Sequence, residues 1–399
     1  MSYVIKAVLR NAKHPEFGEV TIPFHIPDAE YDNCLELLKR LGIGDAVNRD
    51  CELMEIQSDY PALKRLEKTV VNLDELDYLA KRLGSFDRQE KAKFQGAAAM
   101  LNISDMTSLI NLTFFCQEVT VITDFSDLEQ VGQRHYLTME GGGAPQDQLD
   151  QVNGRDIALA LISYEEGVVT PYGVVYDNGM KLEQVYDGRH LPEYFYDNNI
   201  ATVTLSLKEQ PNHCETLYFP CADSKIDRAL RRLEVQKSSQ CLAELDTDMC
   251  DAVRGMFEEE FKLNEHLETL NALARCYQGF DDKTLDKFHT VFDSAWPQTP
   301  EEVLYLAKHV HDFTVVEGIS TAEEYGRYMI KESGHFELDP NLEDYVDFES
   351  YGKQRIQEEQ GILGDRGYVA YLGTEPEITE IMARHIQRPE QGPQLGGLT

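Results

Sequence analysis

The chain carries its own pattern twice, so whatever it folds into must be something that can be built in tandem. Leu73, Leu76, Leu79, Ala80, Phe86, Asp87, Lys93 and Phe94 recur as Leu267, Leu270, Leu273, Ala274, Phe280, Asp281, Lys287 and Phe288, at one spacing (270 − 76 = 194). Without a gap, Val121, Ser126, Glu129 and Gly132 meet Val315, Ser320, Glu323 and Gly326, and Gly167, Gly173 and Val175 meet Gly361, Gly367 and Val369. Upstream, Thr21, Phe24, Asp28, Asp32 and Leu35 meet Thr216, Phe219, Asp223, Asp227 and Leu230 at one residue more (223 − 28 = 195). The pattern predicts two copies, about 1–199 and 200–384. The tail 385–399 is rich in Gly, Pro and Gln without periodicity and reads as disordered.

Each copy predicts the same order of elements. Tyr3 to Leu9 and Thr202 to Leu207 alternate as strands, each followed by a second strand (Glu19 to Phe24; Glu215 to Phe219) and a helix starting near Asp28 or Asp223. The leucines at i and i+3 then open an all-helical block, within which Asp105 and Thr299 stand as helix caps, Thr299 with Pro300 behind it. Short strands follow at Thr120 to Thr123 and Thr314 to Val316, and the capping boxes Ser126-x-x-Glu129 and Ser320-x-x-Glu323 start another helix. Hairpins around Val168 to Tyr176 and Ile362 to Leu372 close the copies, a glycine turn lying between apolar runs. The expected fold class is therefore α+β, an elongated chain of small α/β and helical subdomains in tandem. The subdomains run about 1–65, 66–118 and 119–199 in the first copy, and 200–258, 259–312 and 313–384 in the second.

With 42% hydrophobic residues the chain can bury real cores. Its 37 Lys and Arg stand against 71 Asp and Glu, a net charge of −34, which repels nucleic acid and anionic membranes and attracts basic clefts. Met1 to His14 has no secretory signal, and the most apolar stretch, Ser108 to Ile122, is broken by Asn111, Gln117 and Glu118. A cytoplasmic protein with no membrane or nucleic-acid partner is expected. The eight cysteines are scattered without C-x-x-C spacing, as reduced thiols are.

Chemistry-bearing motifs are missing. There is no phosphate-binding G-x-x-x-x-G-K-S/T, no G-x-S-x-G, no H-E-x-x-H and no strand-linked G-x-G-x-x-G. His309 and His311, two apart on a predicted helix, point to different sides, and Cys214 beside His213 lacks a positioned base and an electropositive pocket. Gly141 to Gly143 form a flexible loop rather than a phosphate cradle. No enzyme, cofactor or metal site is expected from these residues.

What the sequence does concentrate is negative charge. Phe94 to Gln133 contains no Lys or Arg but holds Asp105, Glu118, Asp124, Asp127 and Glu129. Glu332 to Tyr351 is again free of both, and Glu332, Glu337, Asp339, Glu343, Asp344, Asp347 and Glu349 crowd it. Such runs are either solvated surface or a field kept for a cationic partner. Beside the second run Tyr345, Phe348 and Tyr351 lie three apart, which would put them on one helical face.

The segment Tyr325-Gly326-Arg327-Tyr328-Met329-Ile330-Lys331-Glu332-Ser333-Gly334, followed by Leu342-Glu343-Asp344-Tyr345-Val346-Asp347-Phe348-Glu349-Ser350-Tyr351-Gly352, closely resembles the carboxy-terminal part of ArdA antirestriction proteins. In that family a helix ending in E-[ST]-G leads to an x-Y-[IV]-D-[FY]-x-x-Y-G-R-D signature. Asn153-Gly154-Arg155-Asp156 in the first copy carries the other half of it. Lys353 and Gln354 stand where the family has R-D, and Gln151-Val152-Asn153 stand where it has aromatic and acidic residues.

The resemblance implies a DNA mimic made by a mobile genetic element, which occupies the DNA groove of Type I restriction-modification enzymes. It implies dimers of three-domain subunits, so that two copies in one chain would make a single-chain pseudo-dimer, with further dimerisation open. On this reading Glu337, Asp339, Glu343, Asp344, Asp347 and Glu349, with Asp124, Asp127 and Glu129, stand in for phosphates. Tyr345, Phe348 and Tyr351 would be buried where the copies pack. At one charge per roughly 1.7 Å of duplex, the net charge corresponds to on the order of 60 Å of DNA. The alternative is an acidic adaptor or regulatory protein that binds another basic DNA-binding protein.

Overall fold

The computed structural model describes residues 3–194 and 199–386. The chain divides into two compact units, Met1–Phe195 with Ser206–Thr216 and Ala222–Lys237, and Tyr196–Leu205 with Leu217–Cys221 and Ser238–Thr399. Among the described residues the architecture is α+β, helices with four small separate sheets.

The first unit opens with strict alternation. In β1 (Ile5–Asn11), Ile5, Ala7 and Leu9 point inward, as do Ile22 and Phe24 of the antiparallel β2 (Glu19–Phe24). Helix α1 (Asp28–Arg40) buries Tyr31, Cys34, Leu35 and Leu38, one stripe at helical spacing. With β3 (Cys51–Ser58) and β4 (Val70–Val71) the sheet order is β2-β1-β3-β4. The helical block is α2 (Leu73–Gly84), α3 (Arg88–Met100) and α4 (Met106–Phe115). Each start has a side-chain cap: Asn72 and Asp87 in full capping boxes with Glu75 and Glu90, and Asp105 accepting from the Ser108 amide at 2.9 Å. Then come β5 (Val119–Ile122), α5 (Leu128–Met139), the short α6 (Gln146–Leu149), α7 (Gly154–Tyr164), and the hairpin β6 (Val168–Thr170) and β7 (Gly173–Asp177), in a sheet ordered β5-β7-β6.

Next are β8 (Ala201–Leu207), β9 (Gln210–Phe219), α8 (Asp223–Arg232) and β10 (Leu242–Thr247), with sheet order β10-β8-β9. Helix α8 carries the charged heart of the first unit. Arg228 and Arg232, four apart and so on one face, both meet the buried Asp74, at 2.9 and 2.6 Å. Tyr31 donates its hydroxyl to the same carboxylate at 2.5 Å, and Arg232 also pairs with buried Glu215 at 2.7 Å. Burial opposes the charge of Asp74, but the two guanidiniums outweigh it and hold the carboxyl below its usual value.

The second unit continues with α9 (Asp251–Gly255), α10 (Leu267–Gly279), α11 (Asp282–Ala295) and α12 (Pro300–Lys308), the last capped by Thr299, which accepts from Glu302 N at 3.2 Å. Strand β11 (Phe313–Glu317), helices α13 (Ala322–Lys331) and α14 (Phe348–Glu359), and the hairpin β12 (Ile362–Gly364) and β13 (Gly367–Tyr371) follow, the sheet ordered β11-β13-β12. Helix α15 (Pro376–Ile386) buries Ile378, Ile381 and Met382. It takes in the first two residues of the expected tail, and 387–399 lie outside the described residues.

Two expected caps move by one residue. Helix α5 is capped by Asp127 rather than Ser126, and α13 by Thr321 with Glu324 rather than by Ser320 with Glu323. In both places two good capping residues are adjacent, and the spacing of the apolar stripe selects the second.

Candidate functional site

The carboxylates singled out by the sequence fall on two layers of similar construction, one in each unit. In each layer a pair of helices meets through glycine. A Cβ on Gly132 of α5 would lie 1.7 Å from the Gly154 oxygen of α7, and one on Gly352 of α14 would lie 1.8 Å from the Ala322 oxygen of α13. No side chain fits at such a backbone crossing, so Gly154 and Gly352, the glycines of the Asn153 to Asp156 run and of the signature, are packing residues.

In the first unit, Asp124, Asp127 and Glu129 are exposed and their oxygens face backbone amides. Asp124 accepts from Ser126 N at 2.8 Å, and that amide, together with the Ser126 hydroxyl, holds its carboxyl below the usual value. Asp127 accepts from Gln130 N at 3.0 Å. Glu129 reaches across to the start of α7, accepting from Gly154 N and Arg155 N at 2.9 and 3.0 Å, a carboxylate at the positive end of a helix. Among the described residues, none of the three forms an ion pair.

In the second unit the acids of the segment without Lys or Arg are in part compensated. Cations just outside the segment reach in from the helices on either side. Glu343 accepts from both Arg327 and Lys331 at 2.9 Å, and Lys331 first, with Arg327 behind it, holds that carboxyl below its usual value. Glu349 pairs with Lys353, four residues on, at 2.5 Å. Asp347 caps α14 through Ser350 N at 2.9 Å, and Asp339 accepts from Asn341 N at 2.9 Å in a short 3-10 turn, Pro340–Tyr345. Glu337 is exposed and, among the described residues, unpaired. The side chain of Asp344 lies outside what is described.

The three aromatics do not share one buried helical face. The 3-10 turn ends at Tyr345, which is 85% exposed, and α14 begins only at Phe348. Phe348 is buried beneath the Arg327 guanidinium, 4.5 Å from its ring, and Tyr351 packs edge-on to Phe336 at 6.2 Å. Both are used inside the second unit.

Local spacing also misses the aromatic centre of this layer. Tyr325 and Tyr368 stack at 3.8 Å and both donate to Glu359, at 2.5 and 2.6 Å, while Arg355 pairs with the same carboxylate. Of the other sequence candidates, His309 closes α12 and lies 3.0 Å from Asp312, and none of the eight cysteines is in a disulfide. Among the described residues no helix is long and apolar enough to cross a membrane.

Residues 211–370 match the model of a family described as antirestriction protein (ArdA). That range holds both segments of the second unit that carry the resemblance. Asn153 to Asp156 in the first unit lie outside it. No curated protein matches the chain.

Proposed function

We propose that this chain is a non-catalytic antirestriction protein that acts as a DNA mimic, filling the DNA-binding groove of a Type I restriction-modification enzyme with carboxylates in place of phosphates. The observation that carries this reading is the family match over residues 211–370 in a chain of net charge −34. A groove lined with Lys and Arg releases the same kind of attraction to fixed carboxylates as to a phosphate backbone. The surface is that of the two glycine-crossed layers, with Asp124, Asp127 and Glu129 in one and Glu337, Asp339 and Asp347 in the other. Glu343 and Glu349 contribute less, because cations already neutralise them.

The reading also takes the chain as two tandem copies, 1–199 and 200–384, forming a cytoplasmic single-chain pseudo-dimer. Supporting this are the repeat in sequence, the matching orders β5-β7-β6 and β11-β13-β12, and the glycine crossing present in each layer. The test is to titrate the purified chain into DNA cleavage and methylation by a Type I enzyme. Inhibition of both, relieved by excess duplex, is the expected result. Tight association with a different basic DNA-binding protein and no effect on the Type I enzyme would replace this target with the acidic-adaptor reading.

A further inference from the structure

Outside the acidic layers, the first unit brings together three residues that are distant in sequence. Asp187 and His190 lie in the loop after β7, and His213 is exposed near the start of β9. Each offers one ligand atom, and the three atoms lie within 4.8 Å of one another. We propose that Asp187, His190 and His213 bind one divalent transition-metal ion, zinc in the first instance.

The hydrogen-bond geometry suits a metal. His213 Nδ1 lies 2.7 Å from Gln210 Oε1, an oxygen that only accepts, so Nδ1 carries the hydrogen and Nε2 keeps its lone pair. His190 Nδ1 lies 2.6 Å from Asp187 Oδ2, so one ion can take the place of the hydrogen between these two atoms. An amide oxygen that orients an imidazole and leaves its other nitrogen toward the ion is the usual outer support of a metal-bound histidine. The two rings stack at 4.6 Å with 19° between their planes, which brings two imidazoles from distant parts of the sequence side by side.

The loop is held in place independently of any ion. Asp187 Oδ1 accepts from Arg189 N and His190 N at 2.7 and 2.8 Å. On one side Tyr186 is buried, its hydroxyl on Glu75 at 2.9 Å. On the other, Arg189 donates to the Arg232 carbonyl at 2.7 Å and pairs with Glu234 at 2.6 Å. Neighbouring Cys214 belongs to the opposite face of β9 by strand alternation, so the donors are two nitrogens and an oxygen without thiolate. That set suits zinc, and also copper(II) and nickel(II), rather than calcium or magnesium, which take oxygen alone. Zinc ligands sit roughly 2.0–2.2 Å from the ion, so the three atoms must draw in and the stacked rings turn for their nitrogens to converge, leaving a fourth position for water. Bound there, the ion clips the loop after β7 onto β9.

The test uses the full chain stripped of metal by chelation. Calorimetric titration with zinc should show one ion per chain, and His190→Gln and His213→Gln should each weaken binding at least tenfold. Gln210→Ala, which removes only the orienting oxygen, should weaken it about tenfold. Cobalt(II) in place of zinc should give tetrahedral d–d absorption without a thiolate charge-transfer band, a readout on the unaltered protein that does not depend on any variant folding. No saturable uptake, a thiolate band, or undiminished binding by either histidine variant would overturn the proposal.

Discussion

The α5–α7 layer and the α13–α14 layer share a sheet order and a glycine crossing but use their carboxylates differently. In the first, the acids turn toward backbone N–H groups, and Asp124, Asp127 and Glu129 meet no cation among the described residues. In the second, Arg327, Lys331 and Lys353 bind Glu343 and Glu349 directly. An amide-bonded carboxylate keeps its full charge toward a partner, whereas an ion-paired one is largely cancelled at a distance. The density of acids along a sequence is therefore a poor guide to the field they project. What matters is which donors the fold turns toward them.

The likeness of the layers can be broken most sharply at the helix crossings. Gly132→Ala and Gly326→Ala should each destabilise by about 3 kcal/mol, because the new Cβ meets backbone oxygen at 1.7 and 2.0 Å rather than a side chain that can move. Gly143→Ala, with nothing within 4 Å of its Cβ, is the control and should be close to neutral. Urea unfolding decides, and a neutral Gly132→Ala would remove the equivalence of the two crossings.

The difference between the layers is sharpened by single acids. Glu129→Ala leaves two amides at the start of α7 without their acceptor and should cost about 1 kcal/mol. Glu349→Gln, at an exposed pair, should leave the unfolding midpoint unchanged. Equal losses would mean that the two layers use their acids in the same way. A smaller effect is expected on the salt dependence of target binding. Removing the pairs whole, Glu343→Gln with Lys331→Gln and Glu349→Gln with Lys353→Gln, should change the slope of affinity against salt little, because the net charge is then unchanged.

Much of the scaffold is legible in the sequence because it is local. Strand β2 falls at Glu19 to Phe24 as alternation predicts, and α1 and α8 begin at Asp28 and Asp223. The closing hairpins lie where glycine interrupts the apolar runs. The caps of α5 and α13 slip by a residue because neighbouring side chains cap equally well. Strands β3 and β10 go unread: only Cys51, Leu53 and Ile56 are buried in the first and Leu245 in the second, too sparse an inward pattern to stand out from coil. The site is less legible than the scaffold. That Arg327 and Lys331 reach Glu343 depends on how the chain from α13 folds back, and Asp74 meets Arg228 and Arg232 across 154 and 158 residues of sequence. Spacing alone puts Tyr345 on a helical face, but the 3-10 turn at Pro340 changes the period before the helix begins, leaving the ring in solvent.

Carboxylate mimicry itself is tested most directly by removing charge and keeping the caps. Asn caps a helix about as well as Asp, so Asp124→Asn, Asp127→Asn, Glu337→Gln and Asp347→Asn together take away four unpaired negative charges with little damage to the fold. The parallel variant removes whole ion pairs, Glu343→Gln with Lys331→Gln and Glu349→Gln with Lys353→Gln, so that its net charge stays that of the parent. With both folded by circular dichroism, inhibition of a Type I enzyme is titrated for each against the parent chain. The account predicts at least a tenfold loss for the fourfold variant and less than a twofold change for the paired-acid variant, and inhibition by the fourfold variant at the parent's concentration would contradict it.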